Sequence, residues 1–518
     1  MQRFSALASF GVGTALSLIV VETALAQAQS TGLEGNVTTN AADLIRLNPD
    51  PDPLSLPTRP EQVQIDLNQP ITLQQAIELA RRNNRDLQAI ESQLRQSRAA
   101  LRQAQAALFP TLSLQSSLTR TESATTKLFN QRAEQQFAEL PPLTQSLLGQ
   151  PQTSSPVSNL TSTTLQLSYN VFTFGQRDAS IKAAREQVRF SELDLSRQFE
   201  QLRFTVTDDY YNIQQADAIV RIAQAAVENS QISLRDTVAR ERAGLGTRFD
   251  VLQAQVQLAN NQQQLTQAIS DQQTARRQLA QTLSVANTVN LSAADPIQVA
   301  GKWTLPLADS IVLGLRNRVE LEQQIAQRNI ALQQRRVALA NLGPQIAVGS
   351  TLNTTDSVTD RQAPNWGYSV TGQLSLNIFE GGASSASAAQ QSASVAIAET
   401  QFASFKNLIR FQIEQSFNTL QASAENIETN RVAVEQATEG LRLARLRFQA
   451  GVGTQLEVSN AETSLTRSQS NLLSATVTYN RALAALQRFV SNQPLDFPAA
   501  TATTPPTTPT VSPTPTTP

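Results

Sequence analysis

The chain of 518 residues contains no cysteine and no histidine. Without them there is no thiolate nucleophile, no imidazole base and no ordinary zinc ligand set. No cofactor or metal is expected. Carboxylates remain as possible acid–base groups. They are spread along helix-patterned stretches rather than gathered at a cleft, which argues against an exported hydrolase. An excess of charge is missing too: 41 basic residues stand against 42 acidic ones, so nothing in the total recruits nucleic acid. Long apolar runs are absent beyond the N-terminus, where Phe4–Val21 follows Arg3 and leads to Ala24 and Ala26, an A-x-A site. This reads as a secretory signal peptide, residues 1–26. No other stretch approaches the ~18 apolar residues of a spanning helix, so any membrane passage must use another structure. Missing cysteine fits an exported chain as well as a reducing cytosol.

What is present is a duplication. Residues 27–70 read as an irregular linker rich in Asn, Pro, Thr and Gly, and 491–518 as a disordered Pro/Thr-rich tail. Between them, Leu73–Leu87 matches Leu307–Leu321, and Pro110 matches Pro344, all 234 residues apart. "YNVFTFG" at Tyr169 then matches "LNIFEGG" at Leu376, and "AGLGT" at Ala243 matches "AGVGT" at Ala450, both 207 apart. The repeats are assigned to 71–300 and 301–490. One connection between Pro344 and Asn377 must absorb the whole 27-residue difference.

Each copy shows the same order. An amphipathic helix (Thr72–Leu108; Leu307–Leu342) is stopped by a proline. Two stretches of period two follow, near 111–120 and 163–174, and near 345–353 and 367–379, each of a length that crosses a bilayer as a tilted strand. Leu112, Leu114 and Leu118 alternate with Ser113, Gln115 and Ser117; Tyr368, Val370 and Leu374 alternate with Ser369, Thr371 and Gln373. A helix without Pro or Gly then runs from Gln176 to Ala243, with Phe199, Val206, Ile213, Val220, Val227 and Leu234 in a seven-residue repeat, and Ile413, Leu420, Ile427, Val434 and Leu441 continue that register in copy two. That is a coiled-coil seam on a rod on the order of 100 Å. Gly244 and Gly451 suit a left-handed helix end, and Thr247 with Asp250, or Thr454 with Glu457, suits a capping box opening a return helix. Each "AGxGT" is thus a hairpin tip.

Four strands cannot close a barrel, and an open edge in lipid leaves costly unpaired backbone groups. Copies must therefore associate: two would give eight strands filled by side chains, three would give twelve and leave a lumen. Tyr169, Phe172, Phe174, Trp366, Tyr368 and Phe379 cluster at strand ends as an interfacial girdle would, although Phe174 and Phe379 suit joint packing equally. An exported coiled-coil scaffold or adhesin would explain the heptads but not strands at matched places in both copies.

Over roughly residues 70–490 this combination resembles the TolC family of outer-membrane efflux proteins. The resemblance rests on Pro110 and Pro344, "LQLSYNVFTFG" and "LSLNIFEGG", and two glycine turns each followed by an acid. It implies a mainly α fold with a transmembrane β portion: a homotrimer with a twelve-stranded barrel in the lipid of a Gram-negative-type outer membrane, continued by a long antiparallel coiled-coil helical barrel in the periplasm. It implies a passive conduit of a tripartite efflux or type I secretion system, meeting a periplasmic adaptor and an inner-membrane pump of RND or ABC type. It points to Gly244, Leu245, Gly246, Gly451, Val452 and Gly453 as adaptor-docking tips, and to Asp250, Glu457, Phe448 and Asn460 at the tunnel mouth. The chain departs from well-known members in having Gly453 in place of an Arg, Asn460 in place of a second acid, and Phe448 in place of Tyr. Arg248 is a candidate substitute for the missing Arg.

Overall fold

A computed structural model describes Leu54 and residues 56–490, apart from 66, 152, 287 and 358–363. The signal peptide, most of the N-terminal linker and the Pro/Thr tail lie outside the described residues. Among those described, no helix is long and apolar enough to cross a membrane.

The duplication is carried to the residue. Copy one contains α1 (Leu73–Asn83), α2 (Arg85–Ala106), β2 (Thr111–Glu122), α3 (Ala124–Ala138), α4 (Pro142–Leu148), β3 (Val157–Phe172), α5 (Gln176–Arg242) and α6 (Arg248–Leu283). Copy two contains α7 (Leu307–Asn317), α8 (Val319–Ala340), β5 (Gln345–Ser357), β6 (Asn365–Ser375), α9 (Ala383–Gln449) and α10 (Gln455–Val490). The paired helices match in length: α5 and α9 have 67 residues, α6 and α10 have 36, α2 and α8 have 22, α1 and α7 have 11. At ~1.5 Å per residue the long pair reach about 100 Å. The strand connection is residues 123–156 in copy one and 358–364 in copy two, 34 against seven, which is the whole 27-residue difference.

The strands β2, β3, β5 and β6 form one antiparallel sheet in that order. The register lines up Leu114, Leu165, Leu352 and Tyr368 across the four strands, and beside them Ser113, Gln166, Thr351 and Ser369. Directly opposed residues share a face, so one face carries an apolar row and the other a hydroxyl and amide row. Hydroxyl pairs Thr111–Ser168 (2.7 Å) and Thr351–Ser369 (2.6 Å) tie neighbouring strands on that polar face. Tyr169, Phe172 and Phe174 stand at the helix end of the sheet, Trp366 and Tyr368 toward the other end, and Phe172 meets Phe174 edge-on at 6.4 Å.

Three departures from the sequence reading have physical reasons. The first helix of each copy is broken: Asn84 and Arg318 take extended backbone (ψ 123° and 118°), so α1/α2 and α7/α8 are separate. Asn84 Oδ1 accepts from Leu87 N (2.8 Å) and so caps α2. Residues 67–70, expected to be irregular, belong to β1 (Leu67–Ile71), which pairs in parallel with β4 (Val289–Ala293). Tyr210 in the middle of α5 donates to Ile71 O (3.0 Å) and Asp295 Oδ2 (2.8 Å), and Leu73 N donates to the same carboxylate (2.9 Å). Both ends of copy one are thereby stapled to the long helix. The copy-one connection, finally, contains the two helices α3 and α4 rather than plain loop.

The seam residues Val206, Ile213, Val227, Ile413, Leu420 and Leu441 are buried, while Phe199, Val220, Leu234, Ile427 and Val434 are half-buried. The two halves meet where Tyr211 and Ala218 of α5 pack on Leu473 and Val477 of α10.

Candidate functional site: the paired hairpin tips

Each long helix ends in the same hydrogen-bonded cap. Leu245 N donates to Arg240 O (2.9 Å) and Gly244 N to Glu241 O (3.0 Å); Val452 N donates to Arg447 O (3.0 Å) and Gly451 N to Phe448 O (3.0 Å). This pattern needs a left-handed residue, and Gly244 and Gly451 have φ of 72° and 78°. The second glycine serves a different need. A Cβ at Gly453 would meet Arg447 Cβ and Phe448 N at 3.0 Å, and one at Gly246 would meet Arg240 Cβ and Glu241 N at 3.3 Å. The turn is written twice because the first glycine supplies the conformation and the second the close return of the chain.

The next helices open differently. Thr247 Oγ1 accepts from Asp250 N (3.2 Å), and Asp250 Oδ2 accepts from Thr247 N (3.0 Å), a full capping box. In copy two Thr454 Oγ1 accepts from Glu457 N (3.2 Å), but the Glu457 carboxylate turns to Arg447 (3.4 Å). The box expected there is half formed, because Arg447, in the last turn of α9, offers the longer side chain a charged partner. Arg248, the candidate substitute for the missing Arg, pairs with Glu241 at 3.8 Å.

The tips are joined by Arg240, a cation in the last turn of α5. Its Nη1 donates to Phe448 O (2.7 Å) at the end of α9, and its guanidinium lies 4.7 Å from the centre of the Phe448 ring. A cation on the last carbonyls of a helix is favoured by the helix dipole as well as by the bond. One turn deeper, Thr237 donates to Gln455 Oε1 (3.0 Å) and Gln455 Nε2 to Ser233 Oγ (2.8 Å). Phe448 is therefore buried within the protomer, under Arg240. Glu457 and Asn460 are exposed, and Asp250 is occupied in its cap. At the apex Leu245 (70% exposed) and Val452 (71%) present apolar surface, with exposed Phe249 and Leu456 beside them at the same 207-residue offset.

Arg240→Ala is expected to separate the two tips, losing about 1–3 kcal/mol of charge-assisted bonding and ring contact. Hydrogen exchange at Phe448–Gly451 should then rise several-fold. Arg442→Ala, which removes only an exposed pair with Glu439, should leave exchange there unchanged.

Long paired hairpins set on a four-stranded sheet with one apolar and one polar face are the architecture of a membrane channel. Residues 76–285 and 311–491 match the profile of the outer membrane efflux proteins, and the chain belongs to that family. Its members are outer-membrane conduits. The fold is shared with solved structures at low identity. VceC from Vibrio cholerae is 19% identical, with 81% of this chain and 95% of that chain covered and a TM-score of 0.66. The CmeC channel of Campylobacter jejuni is 14% identical, with coverages of 86% and 95% and a TM-score of 0.68. The open-state MtrE channel of Neisseria gonorrhoeae is 18% identical, with coverages of 82% and 91% and a TM-score of 0.65. The curated proteins contain no match.

Proposed function

We propose that three copies of the chain pair the free edge of β2 with the free edge of β6 from the next copy, closing a barrel of about twelve strands around a polar lumen. The six helical hairpins then continue it as a passive periplasmic tunnel, whose tips receive an adaptor linked to an inner-membrane pump of RND or ABC type. The observation that carries this reading is the sheet itself: four strands, one apolar and one polar face, and both outer strands without a further partner among the described residues. In lipid each unpaired backbone group costs several kcal/mol, so the edges must meet something.

The duplication supports a specific contact between copies. Arg240 and Arg447 are equivalent, as are Glu241 and Phe448. Within one copy Arg240 reaches the end of α9 and stacks on Phe448. Repeating that step, Arg447 reaches the end of the next copy's α5, where a carboxylate stands in place of the ring. The seam within a copy is then ring-shielded, and the seam between copies is an ion pair, which salt screens. Adaptor docking is assigned to Gly244, Leu245, Gly246, Gly451, Val452 and Gly453. The mouth is assigned to Asp250, Glu457 and Asn460, with the exposed Glu457 carboxylates favouring cations and Phe448 buried beneath Arg240.

The native chain has no cysteine, so engineered pairs report cleanly. Arg447→Cys combined with Glu241→Cys should link chains into covalent trimers under mild oxidation. Linkage only within a chain, or none, contradicts the assembly. A single cysteine at Leu245 or Val452 should capture an adaptor in living cells, and capture of nothing removes the tip assignment. Transport of a dye, an antibiotic and a secreted protein by a deletion strain separates efflux from secretion.

A further inference from the structure

The connection from β2 to β3 is longer than strand pairing requires. Its counterpart in copy two, between β5 and β6, has seven residues, 358–364, against 34 in copy one. The extra chain is built. Ser123 N donates to Pro156 O (2.8 Å) and closes the base; Ser123 Oγ caps α3 by accepting from Thr126 N (3.2 Å). Asn130 and Ser154 exchange bonds of 2.7 and 3.3 Å, and Gln145 Nε2 reaches the carbonyls of Phe137, Ala138 and Leu140, tying α4 to the end of α3. Yet Leu128, Phe129, Leu143, Leu147 and Leu148 are 47% to 84% exposed. An ordered hairpin that turns five large apolar side chains to water is short of a partner.

Three observations select a second copy of this chain as that partner. Only Ser123 separates the end of β2 from the start of α3, and β2 is an edge of the sheet, so the hairpin stands at the seam where the next copy joins. A barrel of about twelve strands, spaced ~4.8 Å and tilted ~40°, is roughly 24 Å across, and a 15-residue α3 is about 22 Å long, enough to reach over the opening. The connection carries Lys127 and Arg132 against Glu134 and Glu139, and Lys127 is paired with Glu122. It therefore lacks the cationic cluster that would hold lipid phosphates.

We propose that the α3–α4 hairpins of three copies pack by these apolar side chains across the outer end of the barrel and constrict it at the cell surface. This rests on the trimeric reading, and the tests separate the two. In the full-length protein, Leu147→Cys should be linked between chains by a short bismaleimide. The triple variant Leu143→Ser, Leu147→Ser, Leu148→Ser changes exposed positions only; it should remain trimeric by native mass and raise single-channel conductance roughly twofold. Replacing 123–156 by the seven-residue connection should do the same. Intact trimers with no Leu147→Cys linkage and unchanged conductance overturn the proposal and leave the trimer standing, as does Leu147→Cys shielded from a soluble maleimide only in lipid. Absence of trimers in the unmodified protein overturns both.

Discussion

Replacing Glu320 with glutamine is expected to cost about 3–5 kcal/mol, because it leaves two buried guanidinium groups without their shared anion. Arg318 holds Glu320 through Nε and Nη2 (2.8 and 2.9 Å), and Arg488 Nη2 donates to the same carboxylate (2.9 Å). Arg318 also reaches Gln412 (3.2 Å) and lies 5.3 Å from the Phe489 ring centre, so the triad bolts the α7–α8 break to α9 and α10. At the equivalent place in copy one a neutral lock suffices: Asn84 Nδ2 donates to Thr282 O (2.9 Å). Asn84→Ala should accordingly cost less. The readout is the melting temperature of the detergent-solubilised protein, with Glu457→Gln as an exposed control that shifts it little.

Acid should show the same triad. Burial alone would raise the Glu320 carboxyl, but the Arg318 bond and the charges of Arg318 and Arg488 outweigh it and hold it at about 2, below the ordinary 4.5. A depressed carboxyl stabilises the fold above its unfolded value, and that contribution disappears as pH falls from about 4.5 toward 2, on the order of 3 kcal/mol. Glu200 is pushed the other way by burial, so its protonation favours the fold as pH falls and masks part of the loss. The difference between wild type and Glu320→Gln isolates the Glu320 limb: the gap should shrink toward pH 2. A gap that stays constant to pH 2 contradicts this account of the triad.

Two neighbouring substitutions in β3 should have opposite fates. Leu165 lies in the apolar row with Leu114, Leu352 and Tyr368; Gln166 lies in the polar row with Ser113, Thr351 and Ser369. Leu165→Arg places a cation toward lipid near mid-strand, at about 2–4 kcal/mol per chain, and should abolish assembled protein in the outer membrane. Gln166→Arg places the same charge in the lumen. It should assemble normally and shift the reversal potential in a salt gradient toward anion preference. Equal tolerance of both, or the reverse order, would mean that the faces are assigned wrongly.

The duplication, the long helices and the strand faces were legible because each is a local pattern repeated at a fixed offset. The return helices begin within one residue of the reading, and the 27-residue difference falls in one connection. What was not legible is tertiary. Nothing in "NNRDL" or "RNRVE" signals a helix break, since neither holds Gly or Pro; the second break coincides with the buried ion pairs of Arg318. β1 and β4 are five residues each and lie more than 200 apart, and Pro70 disguises the first as linker. At the tips the glycines announced themselves, but Arg240 did not, because its partner Phe448 O belongs to the other copy. The matched apolar pair Phe249 and Leu456 was available at the 207-residue offset and marks the tip surface as clearly as Leu245 and Val452.

The most direct test of the central claim, that one chain supplies a third of a closed barrel, is the native mass of the detergent-solubilised particle. The account predicts three mature chains in a single species. A stable particle of one chain would contradict it, because the free edges of β2 and β6 would then survive without a partner.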